Sequence, residues 1–228
     1  MKILAIDTTL DACSAAVFDS QADKMLAALS HEMRRGHAEA LIPIISDTMK
    51  AAALDFTDLD RIVTTVGPGS YTGLRVGISA AKGLAMATGK QTVGVTTLAA
   101  LSAPLIAKTD SIPVLAAVDA RHGNVFYHLA GTGHRVLTSP RHASIMDTVR
   151  AVCNGPVRIV GPAAQLLADH WPRDAAVLPN YIEVRNKPNI EWVARLGAIT
   201  DPLRSPAKPL YLRAADVTPQ DSHRIPLR

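Results

Sequence analysis

Short apolar or alternating runs separated by turn residues open the chain. The runs at 2–7, 13–19 and 24–32 are spaced as three antiparallel strands. The pattern that follows predicts a helix at 37–54, a strand at 61–66, a helix at 74–88, a strand at 92–95 and a helix at 97–103. A three-stranded meander followed by strand–helix–strand crossovers predicts an α/β fold, with helices packed on a mixed sheet.

A weaker copy of this pattern begins near residue 112. An apolar run at 112–120 ends in Asp119 and precedes a hairpin partner at 124–130. The later pattern predicts helices at 142–152, 163–170 and 189–199 and a strand at 157–161. Because AIDTTLDACSAAVF and AVDARHGNVFYHLA share the order apolar run, Asp, turn, strand, we interpret the chain as an internal duplication. The boundary is predicted near Ala103–Ile112, which gives domains 1–103 and 104–228.

The composition indicates a folded cytoplasmic protein. Of the 228 residues, 48% are hydrophobic and 19% are charged, which excludes a disordered chain. No stretch is long and apolar enough to span a membrane, and Asp7 interrupts the first apolar run, which argues against a signal peptide. Cys13 and Cys153 match no metal spacing, so we expect free thiols in a reducing compartment.

Charge is distributed unevenly along the chain. The net charge is +4, and it comes from the second half, since residues 1–103 carry −1 and residues 104–228 carry +5. A basic half can attract a polyanion such as nucleic acid. No run of Lys or Arg exceeds two residues, so a solvated basic surface is the simpler interpretation.

Two segments have side chains suited to binding phosphate. The triplet Asp7-Thr8-Thr9 places a carboxylate beside two hydroxyls at a strand end, which suits phosphate or Mg²⁺ or simply forms the turn. The segment GPGSYTGLRVG (67–77) lies between a strand and a helix but has neither the P-loop spacing nor GxGxxG. Its Gly73 and Gly77, with Ala81, lie four residues apart, so we expect a face that another backbone approaches closely.

The predicted helix 37–54 carries apolar residues on more than one face. This pattern favours a surface for a partner protein, with a deeply buried core helix as the alternative. Pro43 is expected to kink the helix. A metal pair on a helix needs ligands one turn apart, and the partner position of His37 is Leu41, so no metal site is predicted.

Several segments together resemble one known family. KILAIDTT, RGHAEALIPII, VTTVGPGSYTGLRVG and PLYLRAADV are similar to the TsaB (YeaZ) family of bacterial tRNA threonylcarbamoyladenosine biosynthesis proteins, strongly over residues 1–100 and more loosely beyond. The resemblance implies two subdomains of the actin and sugar-kinase (ASKHA) type, each a mixed sheet with helices. It also implies a non-catalytic subunit that stabilises TsaD, the paralogue that transfers threonylcarbamoyl to the adenosine next to the anticodon.

The resemblance further implies partners and site residues. A TsaE-like ATPase joins the complex, and tRNA is bound indirectly. The expected partner-binding residues are His37, Leu41, Ile44, Ile45, Thr48, Gly73, Arg75, Val76, Gly77 and Ala80. The triplet Asp7-Thr8-Thr9 matches the nucleotide loop of the superfamily, and the possible nucleotide-binding residues are Asp7, Thr8, Thr9 and Asp119.

Three expectations follow for ligands and assembly. Leu41 replaces the second metal-binding histidine of TsaD, so we expect no metal. The loop at Asp7 lacks the glycines usual in the superfamily, so we expect no cofactor in this chain itself, and ATP with Mg²⁺ could bind at an interface of the complex. When the partner is missing, burial of the apolar stripe of helix 37–54 favours a homodimer.

Two other functions stay open at this point. Asp7 and Asp119 both end strands and could hold a Mg-nucleotide in a cleft between the domains, as in a stand-alone actin-like ATPase or phosphotransferase. A glycoprotease-like metallopeptidase is suggested only by the historical label of the superfamily.

Overall fold

The structure, a computed structural model, describes residues 1–107 and 111–213. The last part of the motif PLYLRAADV, residues 214–217, lies outside the described residues. The elements of the first half are β1 (Lys2–Asp7), β2 (Ala12–Asp19), β3 (Lys24–Glu32), α1 (His37–Ala51), β4 (Arg61–Thr65), α2 (Tyr71–Thr88), β5 (Gln91–Val95) and α3 (Thr97–Ile106). Those of the second half are β6 (Val114–Arg121), β7 (Asn124–Gly131), β8 (Arg135–Ser144), α4 (Ile145–Val152), β9 (Arg158–Val160), α5 (Ala164–Asp169), β10 (Tyr181–Glu183) and α6 (Ile190–Ile199).

The two halves repeat one sheet topology. The first sheet has the order β3-β2-β1-β4-β5, and the second has the equivalent order β8-β7-β6-β9-β10. In each sheet the first three strands are antiparallel, and the last two pair in parallel after crossovers. The predicted α/β class with two mixed sheets is confirmed, and the repeated strand order agrees with the internal duplication.

Helices cover both faces of the first sheet. Side chains of α1 and α2 pack on one face around Leu4 and Ile6, whereas α6 packs on the other face around Ile3 and Val63. Burial on both faces explains why β1 is a continuous apolar run rather than an alternating one. The first lobe, as used below, is the first sheet with α1, α2 and α6.

Two strands of the second half were missed by the sequence pattern. β8 occupies residues 135–144, part of which was assigned to a helix, and that helix begins only at Ile145 because the Ser144 hydroxyl caps it by accepting from the Asp147 N–H (3.0 Å). β8 is an edge strand with a shifted register opposite Tyr127 and Leu129, and it lacks a clean alternation. β10 has only three residues, too few for any periodicity.

The packing does not follow the two halves of the sequence. α3 contributes Leu98 and Leu101 to the core of the second sheet, so it lies between the sheets, while α6 belongs to the core of the first. The division into 1–103 and 104–228 therefore stays a prediction. Among the helices that the structure describes, none combines the length and the apolar character that crossing a bilayer requires.

Candidate functional site

The carboxylate of Asp7 is buried at the end of β1. Its Oδ1 accepts hydrogen bonds from the Thr9 N–H (3.2 Å), the Thr9 hydroxyl (2.6 Å) and the Thr65 hydroxyl (2.6 Å). Burial raises the pKa of Asp7 above its ordinary value, and the bonds from Thr65 and Thr9 oppose that effect. Asp7 therefore ties the loop after β1 to the end of β4.

The turn that leads into α2 lies directly on this loop. The Ser70 N–H donates to the Thr9 carbonyl (2.8 Å), and the Thr8 hydroxyl donates to the Gly73 carbonyl (2.7 Å). The Ser70 hydroxyl also accepts from the Gly73 N–H (3.2 Å), which caps α2 and starts it three residues before the predicted position. The loop and the turn thus form one hydrogen-bonded unit.

Glycines make this close approach possible. A Cβ at Gly69 or Gly73 would overlap the carbonyl oxygens of Thr9 and Thr8, respectively, and a Cβ at Gly77 would lie 2.5 Å from the Thr8 hydroxyl. The backbone that approaches the glycine face is therefore the chain's own loop. Gly73 and Gly77 are thus already covered by Thr8 in the single chain, and their assignment to a partner surface stays a prediction.

Four other predicted contact residues face the core. Leu41, Ile44, Ile45 and Thr48 on α1 are at most 3% exposed, and the three apolar ones pack against the first sheet. Helical periodicity marks an apolar stripe without distinguishing a core from a partner, which explains the difference. In the single chain these side chains hold α1 on its sheet and are not available to another protein. The partner-binding role of α1 stays a prediction.

The solvent side of α1 and α2 carries a different set of residues. The two helices pack side by side. We define their outer face by Ile42, Arg75, Val76, Ala80 and Met86, of which Ile42 is 55% and Met86 is 86% exposed. Three of the predicted partner-binding residues, Arg75, Val76 and Ala80, thus remain exposed or half-buried. Ile42 lies on the predicted helix 37–54 but was not among the predicted partner-binding residues, and neither was Met86.

A cleft of about 490 Å³ separates the two sheets. It is lined by Thr9, Leu10, Asp11, Arg34, His37, Gly69, Ser70, Val118, Asp119, Ala120, Arg121, Phe126, Pro162 and Asn186. Of the four predicted nucleotide-binding residues, Thr9 and Asp119 line this cleft, and of these only Asp119 is exposed. Asp7, Thr8 and Thr9 are all buried (0%, 1% and 0% exposed). Their role in nucleotide binding stays a prediction.

His37 and Asp119 are engaged by the backbone around the cleft. The His37 Nε2 lies 3.2 Å from the Leu10 carbonyl oxygen, which joins α1 to the loop after β1. The Asp119 Oδ1 accepts from the Arg121 N–H (2.8 Å). Within the part of the chain that the structure describes, no three His, Cys, Asp or Glu side chains are arranged to hold a metal ion.

An aromatic cluster that the sequence did not indicate lies at the start of α2. The rings of Tyr71 and Tyr211 have centroids 5.9 Å apart, and the Arg75 guanidinium carbon lies 4.0 Å from the centre of the Tyr71 ring. We call these three residues the stacking platform. Tyr211 is distant in sequence and comes from the segment after α6, so no local pattern could associate the two rings.

Comparison with known proteins gives a consistent family. Residues 26–157 match the family model described as "TsaD: tRNA N6-adenosine threonylcarbamoyltransferase". The chain is 36% identical over 127 residues to the tRNA threonylcarbamoyladenosine biosynthesis protein TsaB of Escherichia coli (strain K12), which covers 56% of this chain and 54% of that protein. The chain thus matches about half the length of this relative, and it matches 58% of TsaB from Buchnera aphidicola subsp. Schizaphis graminum at 32% identity.

Two further comparisons extend over nearly the whole chain. An uncharacterized protein of Mycobacterium tuberculosis (strain ATCC 25618 / H37Rv) is 30% identical over 228 residues, covering 95% of this chain and 94% of that protein. The solved structure of YeaZ from Pseudomonas aeruginosa superimposes with a TM-score of 0.77 at 22% identity, covering 92% of this chain and 99% of that one. At that identity the superposition shows a shared fold.

Proposed function

We propose that this chain, which belongs to the tRNA N6-adenosine threonylcarbamoyltransferase (TsaD) family and is one of its TsaB (YeaZ) proteins, is an accessory subunit for tRNA threonylcarbamoylation. In this role it binds and stabilises a TsaD-like paralogue and leaves the transfer reaction to it. The TsaB relatives are named for the biosynthesis of tRNA threonylcarbamoyladenosine, which supports the choice of this modification.

The outer face of α1 and α2 carries the proposal. Met86 and Ile42 expose large apolar side chains on two adjacent helices. Burying these side chains against another protein would stabilise the complex by about 25 cal/mol for each Å² of apolar surface removed from water. Val76 and Ala80 extend this surface between the helices. A partner that presents its own pair of helices could pack against such a face by inserting ridges into grooves.

The first test is heterodimer formation with an outer-face variant. Ile42→Glu places a charge in the proposed interface, so we expect binding to the TsaD-like paralogue, measured by titration calorimetry, to weaken at least about tenfold. The matched control is Ile199→Glu, since Ile199 is 77% exposed at the end of α6, away from α1 and α2. Equal affinity of the Ile42→Glu variant and the unsubstituted chain would contradict the proposed interface.

The same face is proposed to join two copies of the chain when the paralogue is absent. Light scattering during size exclusion then gives a dimer for the unsubstituted chain and a monomer for Ile42→Glu.

Within the complete complex we expect a TsaE-like ATPase to join the pair and tRNA to be modified by the paralogue. A modification assay that omits one protein at a time separates these contributions. Modification of tRNA by this chain alone would refute the accessory role.

A stand-alone ATPase is the second candidate, and the cleft between the sheets is the observation that favours it. Asp119 is exposed in this cleft, opposite the loop that carries Thr9, where its carboxylate could meet a Mg-nucleotide. Calorimetry of the isolated chain with Mg·ATP tests this candidate. Tight binding and turnover that are lost in Asp119→Asn would favour it over the accessory role, because Asp119 is exposed and its replacement leaves the core intact.

A further inference from the structure

The stacking platform is an open aromatic surface rather than a piece of the core. Tyr71 and Tyr211 are 48% and 52% exposed, and their ring planes are inclined by 33°. The Arg75 guanidinium lies against the Tyr71 ring in a cation–π contact. Three planar groups therefore share one exposed site on the first lobe.

The rings are held in place by the backbone on both sides. Tyr71 is the first residue of α2, next to the capping residue Ser70. Tyr211 follows Leu210, whose N–H donates to the Val66 carbonyl (2.8 Å) and so fixes the last described segment to the end of β4. A surface that is ordered before binding loses less conformational entropy when a ligand arrives.

The two segments that carry the platform are basic. The sequence has no Asp or Glu from residue 61 to 107, which includes α2, and none from 202 to 213, which leads to Tyr211. Arg213 lines the same small surface pocket as the two tyrosines, and Lys208 lies three residues before Tyr211, whereas Arg204 is paired with Asp201 at 3.6 Å. An exposed aromatic pair beside such cations is complementary to a polyanion that also presents flat rings.

We propose that the stacking platform binds an unpaired base of single-stranded RNA, with Lys208 and Arg213 contacting the adjacent phosphates. Tyrosine rings and guanidinium planes are the groups on which unpaired bases stack in RNA-binding proteins. This goes beyond the proposed function, which assigns no RNA contact to this chain. Only the choice of RNA over DNA rests on that function.

Fluorescence anisotropy of the full-length chain with a labelled oligouridylate tests the proposal directly. Tyr71→Leu and Tyr211→Leu keep an apolar side chain but remove the ring, and we expect each to weaken RNA binding at least about fivefold, the lower end of what one stacked base contributes. The corresponding Phe variants keep the ring and should bind as the unsubstituted chain does. The matched control is Tyr181→Leu, since Tyr181 is 42% exposed on β10 of the other sheet.

Salt dependence tests the phosphate contacts separately. Replacing Lys208, which is exposed, with Gln should reduce the slope of log affinity against log salt concentration by about 0.7, as expected for one phosphate contact on a single strand. An unchanged slope would contradict the phosphate contact proposed for Lys208.

The following outcomes overturn the proposal. In one, the Leu variants bind RNA as tightly as the unsubstituted chain does, and in another, Tyr181→Leu weakens binding as much as they do. If the Leu variants keep RNA affinity but lose the TsaD-like paralogue, the platform is a protein contact. Equal binding of the oligodeoxyuridylate overturns the assignment to RNA. The paralogue is absent from the anisotropy assay, so failure here is distinct from failure of the accessory role, which is tested by Ile42→Glu.

Discussion

His128 is a buried histidine on β7 that contacts α3. It is 3% exposed, and its Nε2 lies 3.0 Å from the Ser102 hydroxyl oxygen. Burial lowers the pKa of His128 to about 4, because the protonated ring loses its hydration there. The neutral ring thus contributes to the contact of α3 with the second sheet.

The lowered pKa of His128 predicts a loss of stability in mild acid. The His128 imidazole is protonated near pH 6.5 in the unfolded chain and near pH 4 in the folded chain. The stability that the neutral ring contributes is therefore complete above about pH 6.5 and is lost progressively down to about pH 4. The loss approaches about 3 kcal/mol at the acid end. Urea unfolding between these pH values should show a shallower decline for His128→Gln than for the unsubstituted chain.

An exposed histidine supplies the control for this measurement. His122 lies in the turn between β6 and β7 and is exposed, so His122→Gln makes the same substitution without disturbing the core. A slope that is the same in His128→Gln and His122→Gln would show that His128 does not titrate differently in the two states.

At the scale of elements, α2 packs closely against the loop after β1. This contact depends on Gly69, Gly73 and Gly77, which bring α2 against the backbone and hydroxyl of Thr8 and against Thr9. The predicted phosphate-binding triplet is thus partly occupied by the chain's own α2 turn. Its hydroxyl and carbonyl groups serve to fix a helix.

Substituting alanine along α2 should separate this contact from helix propensity. Gly73→Ala places a methyl group on the Thr8 carbonyl and should lower the free energy of unfolding by about 1–3 kcal/mol. Gly83→Ala, on the same helix, meets open space and should raise it by about 0.5–1 kcal/mol. Urea midpoints measure both changes, and destabilisation by both variants would contradict the role assigned to the Thr8 contact.

The sequence predicted long periodic elements better than it predicted what covers them. β1 to β5 and α1 follow their patterns closely, because burial on one face imposes a period and burial on both faces gives a continuous apolar run. β10 was missed because three residues carry no period, and the glycine face of α2 was given to a partner because a pattern of small residues does not say which backbone lies on it. The same limit applies to the stacking platform, which joins Tyr71 to a residue far along the chain.

At the scale of the whole molecule, α6 returns from the second half to the first sheet. The end of α6 is fixed by Arg61 on β4, whose Nη1 donates to the carbonyls of Gly197 (2.7 Å), Ala198 (3.2 Å) and Thr200 (3.0 Å). A cation at a helix C-terminus satisfies carbonyls that have no partner within the helix and interacts favourably with the helix dipole.

Removing the Arg61 charge should loosen this connection. Arg61→Gln is expected to lower the free energy of unfolding by about 1–2 kcal/mol, since the last carbonyls of α6 lose their charged donor. The control is Arg204→Gln, because Arg204 pairs with Asp201 at 3.6 Å on an exposed surface and should change stability by less than about 0.5 kcal/mol. Equal urea midpoints for the two variants would refute the anchoring role.

The return of α6 also sets an order of events during synthesis on the ribosome. The face of the first sheet around Ile3 and Val63 is covered by α6, whose residues 190–199 are translated after every strand of both sheets. Until α6 emerges, Ala100 and Ala103 of α3 are the only helical residues that the structure places in this core cluster and that have already been made, so part of the apolar face of the nascent sheet stays exposed. Exposed apolar surface of this kind favours aggregation of a growing chain, and here the exposure lasts until the last helix that the structure describes has been translated.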